Sequence, residues 1–187
     1  MFAAKKFEGD RSILKKPVLP NIPKDLPEKY LESAYKYIPF FEIFKSVKRN
    51  ITTGDTSISS SFAFPPYNAI DIVTYIGGSI PLAIGAYLAG NKNVWALTGD
   101  FGFLSAGQLG LMEAVNRQVP IKVVIFNNKS AAATGGQKID KKLMLRVLAG
   151  YDQFLSHISS PSDPFEIESV LKEVNDSNEL KIVVIDY

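Results

Sequence analysis

Asp100 and Asn128 are the residues whose types and spacing point most directly to chemistry. Asp100 stands in the string TGDFGF after the apolar run Val94-Trp95-Ala96-Leu97, and Asn128 closes the run IKVVIFNN, which leads into KSAAATGGQ. One helix's worth of residues separates the two runs. A strand–helix–strand unit of this kind sets both polar residues just past the tips of neighbouring parallel strands, the edge at which open α/β sheets bind ligands. A carboxylate and a carboxamide oxygen are hard donors. They suit a magnesium ion that keeps positions free for phosphate oxygens, and the Ser130 carbonyl, two residues further on, completes a protein-derived face. Gly99 is expected to let the chain turn sharply and Gly102 to admit a phosphate closely. A helix starting near Leu104 or Ser105 is expected to aim its N-terminal amides at the same place. Either Gly-Asp or Asn-Asn alone reads as an ordinary turn. On consecutive strands they indicate a site for a magnesium-bound diphosphate.

The surrounding pattern predicts a doubly wound α/β fold, a mostly parallel sheet with helices on both faces. Buried strands are expected at 94–97, 121–126 and 181–185, with helices at 105–116 and 140–149, the latter capped by Gly150. Ser162-Asp163-Pro164-Phe165-Glu166 reads as the start of another helix, with Asp163 as cap, proline in the first turn and Glu166 completing a capping box. The segment 72–91 carries no charge and approaches the length of a bilayer span, but Gly77, Gly78, Pro81 and Gly85 interrupt it. It is read as a strand ending at Gly77 and a small-residue helix near 80–89, packed inside the protein. Upstream, 51–60 is expected to hold a strand start and a Gly54-Asp55 turn. The aromatic loop 62–67 is a candidate partner surface. Residues 28–48 show helical spacing, with Pro39 expected to split them into two short helices. Pro17, Pro20, Pro23 and Pro27 make 1–27 a proline-rich arm ahead of one domain over 28–187.

Composition narrows the function classes. A chain of 187 residues with 46% hydrophobic side chains supports one core. Its 21 basic and 19 acidic residues are scattered and leave a net charge of +2, so no field directs it to nucleic acid or membrane. It contains no cysteine, hence no thiolate to hold an iron–sulfur cluster, and one histidine, His157, read as a surface or packing residue. The N-terminus lacks the apolar core of a secretory signal, and a cytoplasmic protein is the expectation.

GDFGF, the separation from Asp100 to Asn127-Asn128 and the strand between them resemble the diphosphate-binding signature of thiamine diphosphate enzymes. TGGQ after NNKSAAA, with PPYNAIDIVTYIGGSIPLAIGAYLAG upstream, is similar to the 2-oxoacid:ferredoxin oxidoreductases. Within them it resembles the C-terminal thiamine-binding region of indolepyruvate ferredoxin oxidoreductase, over about 51–137. The resemblance implies magnesium ligation by Asp100, Asn128 and the Ser130 carbonyl, and a diphosphate cradle at Gly99, Phe101 and Gly102. It places Gly77, Gly78 and Ser79 in a glycine-rich segment beside the cofactor, and Thr134, Gly135 and Gly136 in a loop closing near the diphosphate and thiazolium. For those glycines a packing role is an equal alternative, and Gln137 has a weaker claim.

Three departures qualify that implication. Phe101 stands where the signature usually has glycine. PVLPNIPKDL replaces a CPGCPHR-like motif, and Thr56-Ser57 stands where relatives often place a cysteine. Electrons from an oxidised 2-oxoacid would then pass to an acceptor such as ferredoxin through another chain. The glutamate that activates the cofactor belongs, by the same resemblance, to a pyrimidine-binding partner subunit or domain, which makes a hetero- or homo-oligomer the expectation. The favoured reading is oxidative decarboxylation of an aryl or branched 2-oxoacid. A subunit of a non-oxidative 2-oxoacid decarboxylase and a non-catalytic assembly subunit are the alternatives.

Overall fold

The computed structural model of the protein describes residues 18–22 and 28–187. Its sheet is built from β1 (Ile51–Asp55), β2 (Ile72–Thr74), β3 (Val94–Gly99), β4 (Lys122–Asn127), β7 (Leu155–Ile158) and β8 (Lys181–Asp186). These run in the order β2-β1-β3-β4-β8-β7, and every neighbouring pair is parallel. A two-stranded hairpin, β5 (Ser130–Ala131) with β6 (Gln137–Lys138), stands apart. The central strands are apolar on both faces because both are covered. Trp95, Leu97, Val124, Phe126, Val183 and Ile185 pack toward α1 (Glu28–Phe44) and α6 (Pro164–Asp176). The alternate residues Val94, Ala96, Val123, Ile125, Ile182 and Val184 pack toward α2 (Ser79–Leu88), α4 (Gln108–Asn116) and α5 (Lys141–Leu148). The expected doubly wound sheet is what the chain forms.

Several local expectations change. Pro39 lies inside α1, which runs unbroken for 17 residues. A helix-interior proline costs about 3 kcal/mol. Tyr37, Phe40, Phe41 and Phe44 recur on one face and are all buried, each worth about 1.5–3 kcal/mol, so packing outweighs the break. Gly54-Asp55 is no turn but the end of β1, paired with β2 and, through Gly54, with β3. The strand expected to end at Gly77 stops at Thr74 and lies at the sheet edge, with Ile72 and Val73 exposed. In the aromatic loop Phe62 stacks on Phe41, with centroids 3.9 Å apart, and Tyr67 is buried, its hydroxyl donating to the Val18 carbonyl (2.7 Å). Of its three aromatics only Phe64 is exposed, so Phe62 and Tyr67 serve the core and Phe64 with Pro65 and Pro66 is the part left at the surface.

Gly150 does not cap α5, which passes through Ala149 into the 3-10 stretch Ala149–Phe154. Asp163 caps α6 as expected, accepting from the Phe165 amide (2.9 Å). Glu166, however, reaches past the cap to the amides of Ser159 and Ser160 (both 2.8 Å), tying α6 to the end of β7. Pro17, Pro23 and Pro27, and with them most of the proposed arm, lie outside the described residues. Within 18–22, Pro20 is buried and Leu19 packs on the core.

Candidate functional site

Strands β3 and β4 are paired with Gly99 opposite Phe126, which brings Asp100 and Asn128 out on the same rim. The chain leaves β3 directly into a helical turn, α3 (Asp100–Gly102), followed by a π turn (Phe103–Gly107) and then α4. The helix therefore begins at Asp100 itself, four residues earlier than the sequence suggested. Sheet order reverses between β1 and β3, because β1 is followed by an outward step to β2 and β3 by a step the other way to β4. Such a switch point opens a crevice at the carboxyl ends of the strands. A cleft is found there, walled by Tyr37, Asp55, Asp100, Asn128, Ser130 and Thr134 among others.

Asp100 is 1% exposed. Its Oδ1 accepts from the Phe101 amide (2.7 Å) and its Oδ2 from the Lys129 amide (2.5 Å). The second contact depends on Lys129 adopting a left-handed backbone (φ 60°) at the end of β4. Burial pushes the Asp100 carboxyl up to about 6, and backbone amides from Phe101 and the 128–130 turn only partly oppose it. Among the described residues no basic nitrogen forms an ion pair with it, and the cleft wall holds no Lys, Arg or His. Asn128 Oδ1 accepts from the Ser130 amide (2.9 Å) and its Nδ2 donates to the Tyr37 hydroxyl (2.9 Å). A buried carboxylate with no basic partner among the described residues, lining the same cleft as a carboxamide oxygen with a spare lone pair, is a donor set that fits a hard divalent ion.

The glycines behave differently from one another. Gly99 has an ordinary extended backbone (φ −85°, ψ 164°), and a Cβ there would meet nothing within 4 Å, so it leaves the cleft floor open rather than making a sharp turn. At Gly102 a Cβ would run into the Asp55 carboxylate and come 2.9 Å from Thr98 Oγ1; its bareness lets α3 settle on Asp55. Gly77 (φ 81°) would strike the Gly102 carbonyl and Ala106 (both 2.7 Å). The amides of Gly77 and Ser79 are directed to Asp55 (2.9 and 2.8 Å) and that of Gly78 to the Tyr75 carbonyl (3.0 Å). These three residues stand behind the cleft wall. Phe101 and Ser130 line the cleft. Thr134 does too, whereas Gly135 (φ 121°) and Gly136 (φ 78°) shape the hairpin beyond it and Gln137 bonds back to the Thr134 carbonyl (3.0 Å). His157 lies exposed on β7, away from the cleft wall.

Sequence reasoning missed Asp55 and Tyr37. Asp55 is 1% exposed and accepts from Gly77, Ser79 and the Thr98 hydroxyl (2.5 Å), joining β1, β3 and the start of α2 under the cleft. The signal was a repetition: TGD occurs at 53–55 and again at 98–100, at the tips of adjacent strands. Tyr37 offered no local signal, because α1 meets the cleft only through tertiary packing.

Sheet order, double layering and a cleft at the carboxyl edge place the chain among doubly wound α/β domains that bind ligands at that edge. More particularly, it belongs to the thiamine pyrophosphate enzymes, whose C-terminal TPP binding domain family matches residues 53–179. A stretch of 73 residues, 39% of the chain, is 36% identical to indolepyruvate oxidoreductase subunit IorA of Methanothermobacter marburgensis, and the match spans 12% of that relative's length. Among solved structures, the chain is similar to 2-oxoglutarate:ferredoxin oxidoreductase from Magnetococcus marinus. There the TM-score is 0.66 at 13% identity, over 98% of this chain and 70% of that one. Benzoylformate decarboxylase from Polynucleobacter necessarius is also similar, with a TM-score of 0.58 at 15% identity over 79% of this chain and 32% of that one. At these identities the likeness is one of fold.

Proposed function

We propose that the chain is the diphosphate-binding half of a thiamine diphosphate-dependent 2-oxoacid:acceptor oxidoreductase. One observation carries this reading: a buried carboxylate and a carboxamide oxygen, presented from adjacent strand tips, line one cleft in which, among the described residues, there is no basic side chain. An anionic diphosphate is attracted to such a cleft only through a cation and backbone amides. In this reading Asp100, Asn128 Oδ1 and the Ser130 carbonyl hold magnesium. The α3 N-terminus faces the diphosphate, with Gly99, Phe101 and Gly102 along its path and Gly77, Gly78, Ser79, Thr134 and Gly135 as outer supports. When bound, thiamine diphosphate supplies the carbon nucleophile and electron sink for cleaving the bond beside a 2-oxo group. The protein's own part is to neutralise the diphosphate and keep the cofactor in one orientation.

Residues 28–187 form the cofactor domain in this account, with 1–27 as an arm. The activating glutamate, the pyrimidine-binding half and any redox centre are assigned to a partner subunit or domain in a cytoplasmic oligomer. An aryl or branched 2-oxoacid such as indolepyruvate is the proposed substrate. Similarity to part of IorA supports the oxidative reading. A non-oxidative decarboxylase is the second reading, favoured by Thr56 and Ser57 lining the cleft where the resemblance would place a cysteine. Product analysis of the complex reconstituted with its partner, magnesium, thiamine diphosphate and coenzyme A separates them. Acyl-CoA formed only with an electron acceptor supports the oxidoreductase. Aldehyde formed without an acceptor establishes the decarboxylase, and no turnover in either condition rejects both.

A further inference from the structure

Asn128 can serve a cation only if its oxygen, and not its amino group, faces the ion. A carboxamide is almost the same shape at both ends, so its orientation is set by the groups it bonds. Two contacts specify the same choice here. The Ser130 amide donates to Oδ1 at 2.9 Å, and the neighbouring Lys129 amide donates to Asp100 Oδ2 at 2.5 Å, so the oxygen end is held by the same turn that holds Asp100. On the other side the Tyr37 hydroxyl accepts from Nδ2 at 2.9 Å. That hydroxyl is held firmly in place. The Tyr37 ring is 2% exposed, stacks on Phe126 with centroids 4.8 Å apart and a 19° interplanar angle, and is backed by Tyr187 at 4.5 Å. Tyr37 comes from α1, ahead of the matched segment 53–179, so this contact belongs to a part of the chain that the family match does not reach.

We propose that Tyr37 is the positioning residue of the cation site, fixing the Asn128 carboxamide with its oxygen toward the ion that Asp100 shares. The proposal rests on the cofactor reading given above and deepens it. Tyr37 touches neither ion nor reacting atoms in this account; it acts through Asn128. A carboxylate at 128 has two equivalent oxygens and needs no such orientation, and this supplies the test. Magnesium is titrated at saturating thiamine diphosphate into the parent chain, Tyr37→Phe, Asn128→Asp and the double variant, with half-saturation read by cofactor binding.

Tyr37→Phe is expected to raise the half-saturating magnesium concentration about tenfold in the Asn128 background and by less than twofold in the Asn128→Asp background. An equal loss in both backgrounds would reduce Tyr37 to a packing residue and overturn the proposal, as would no loss in either. Should Tyr37→Phe loosen the fold, that defect is common to both backgrounds and cancels in the comparison. A parent chain that binds no cofactor at any magnesium concentration overturns the cofactor reading and this proposal together, whereas magnesium-dependent binding indifferent to Tyr37 overturns this proposal alone.

Discussion

In the proposed cofactor site Asp100 is under two opposed demands. Its carboxylate is buried where ionisation is unfavourable, and yet ligation of a cation requires it ionised. With its carboxyl raised to about 6 in the folded chain and near 3.8 when unfolded, the folded state without cofactor holds the proton more tightly. The stability Asp100 contributes is therefore full below about pH 4 and is lost as pH rises through 6, a change on the order of 2–3 kcal/mol at most. Magnesium bound as proposed would favour the ionised form and reverse that trend. We predict that urea unfolding midpoints of the apo-protein fall between pH 4 and 6 in the parent relative to Asp100→Asn. Cofactor affinity in the presence of magnesium is predicted to weaken about tenfold for each pH unit below 6. A pH-independent affinity between 5 and 7 would show that Asp100 is not titrating at the cation site. Both Asp100 and Asn128 were legible in the sequence because each follows a run of apolar residues that marks a strand end. Asp55 was overlooked although it occupies the same position on β1, because a Gly-Asp pair also reads as a turn. The backbone decides between the two: Asp55 is still paired with Thr74 in the sheet.

The elements that carry the site were readable where burial is complete and obscure where it is not. β3, β4 and β8 are apolar on both faces and announce themselves, whereas β2, read with its end misplaced, is a three-residue edge strand with exposed Ile72 and Val73, and β7, which was not read, includes the exposed His157. Alternation along those two segments carries little signal. The start of the helix after β3 was displaced because glycines at 99 and 102 read as a loop, although Gly102 has helical dihedrals and is bare for the sake of Asp55. Two alanine substitutions distinguish these roles. Gly102→Ala drives a methyl group into the Asp55–Thr98 contact and is expected to cost about 1–3 kcal/mol and to weaken cofactor binding. Gly85→Ala, on the exposed face of α2 with nothing within 4 Å, is expected to raise stability by about 0.5–1 kcal/mol and to leave binding unchanged. Chemical denaturation of the two variants with and without cofactor checks both. Equal effects would mean that the glycines are interchangeable helix residues.

At the scale of the molecule, the site is assembled from segments far apart in the sequence, from α1 to the turn after β4. β1, β3 and β4 present the polar groups at one rim, and α1, packed on one face of the sheet, closes the site by bringing Tyr37 to Asn128. The sequence showed the sheet but not this closure, since nothing local to α1 distinguishes a tyrosine over a cleft from one in a core. The cleft's charge has a consequence for how any diphosphate must bind. Among the described residues two carboxylates and no basic group line the cleft, so in the proposed reading a divalent cation is an obligatory partner in binding rather than an aid to it. Isothermal titration of thiamine diphosphate into the chain, with and without magnesium and in parallel with Asp100→Ala, tests that claim most directly. The account predicts binding at one site only when magnesium is present, and a loss of at least about a hundredfold in Asp100→Ala, on the scale of removing a buried charge from its ion. Binding of equal strength without magnesium, or undiminished in Asp100→Ala, would contradict it.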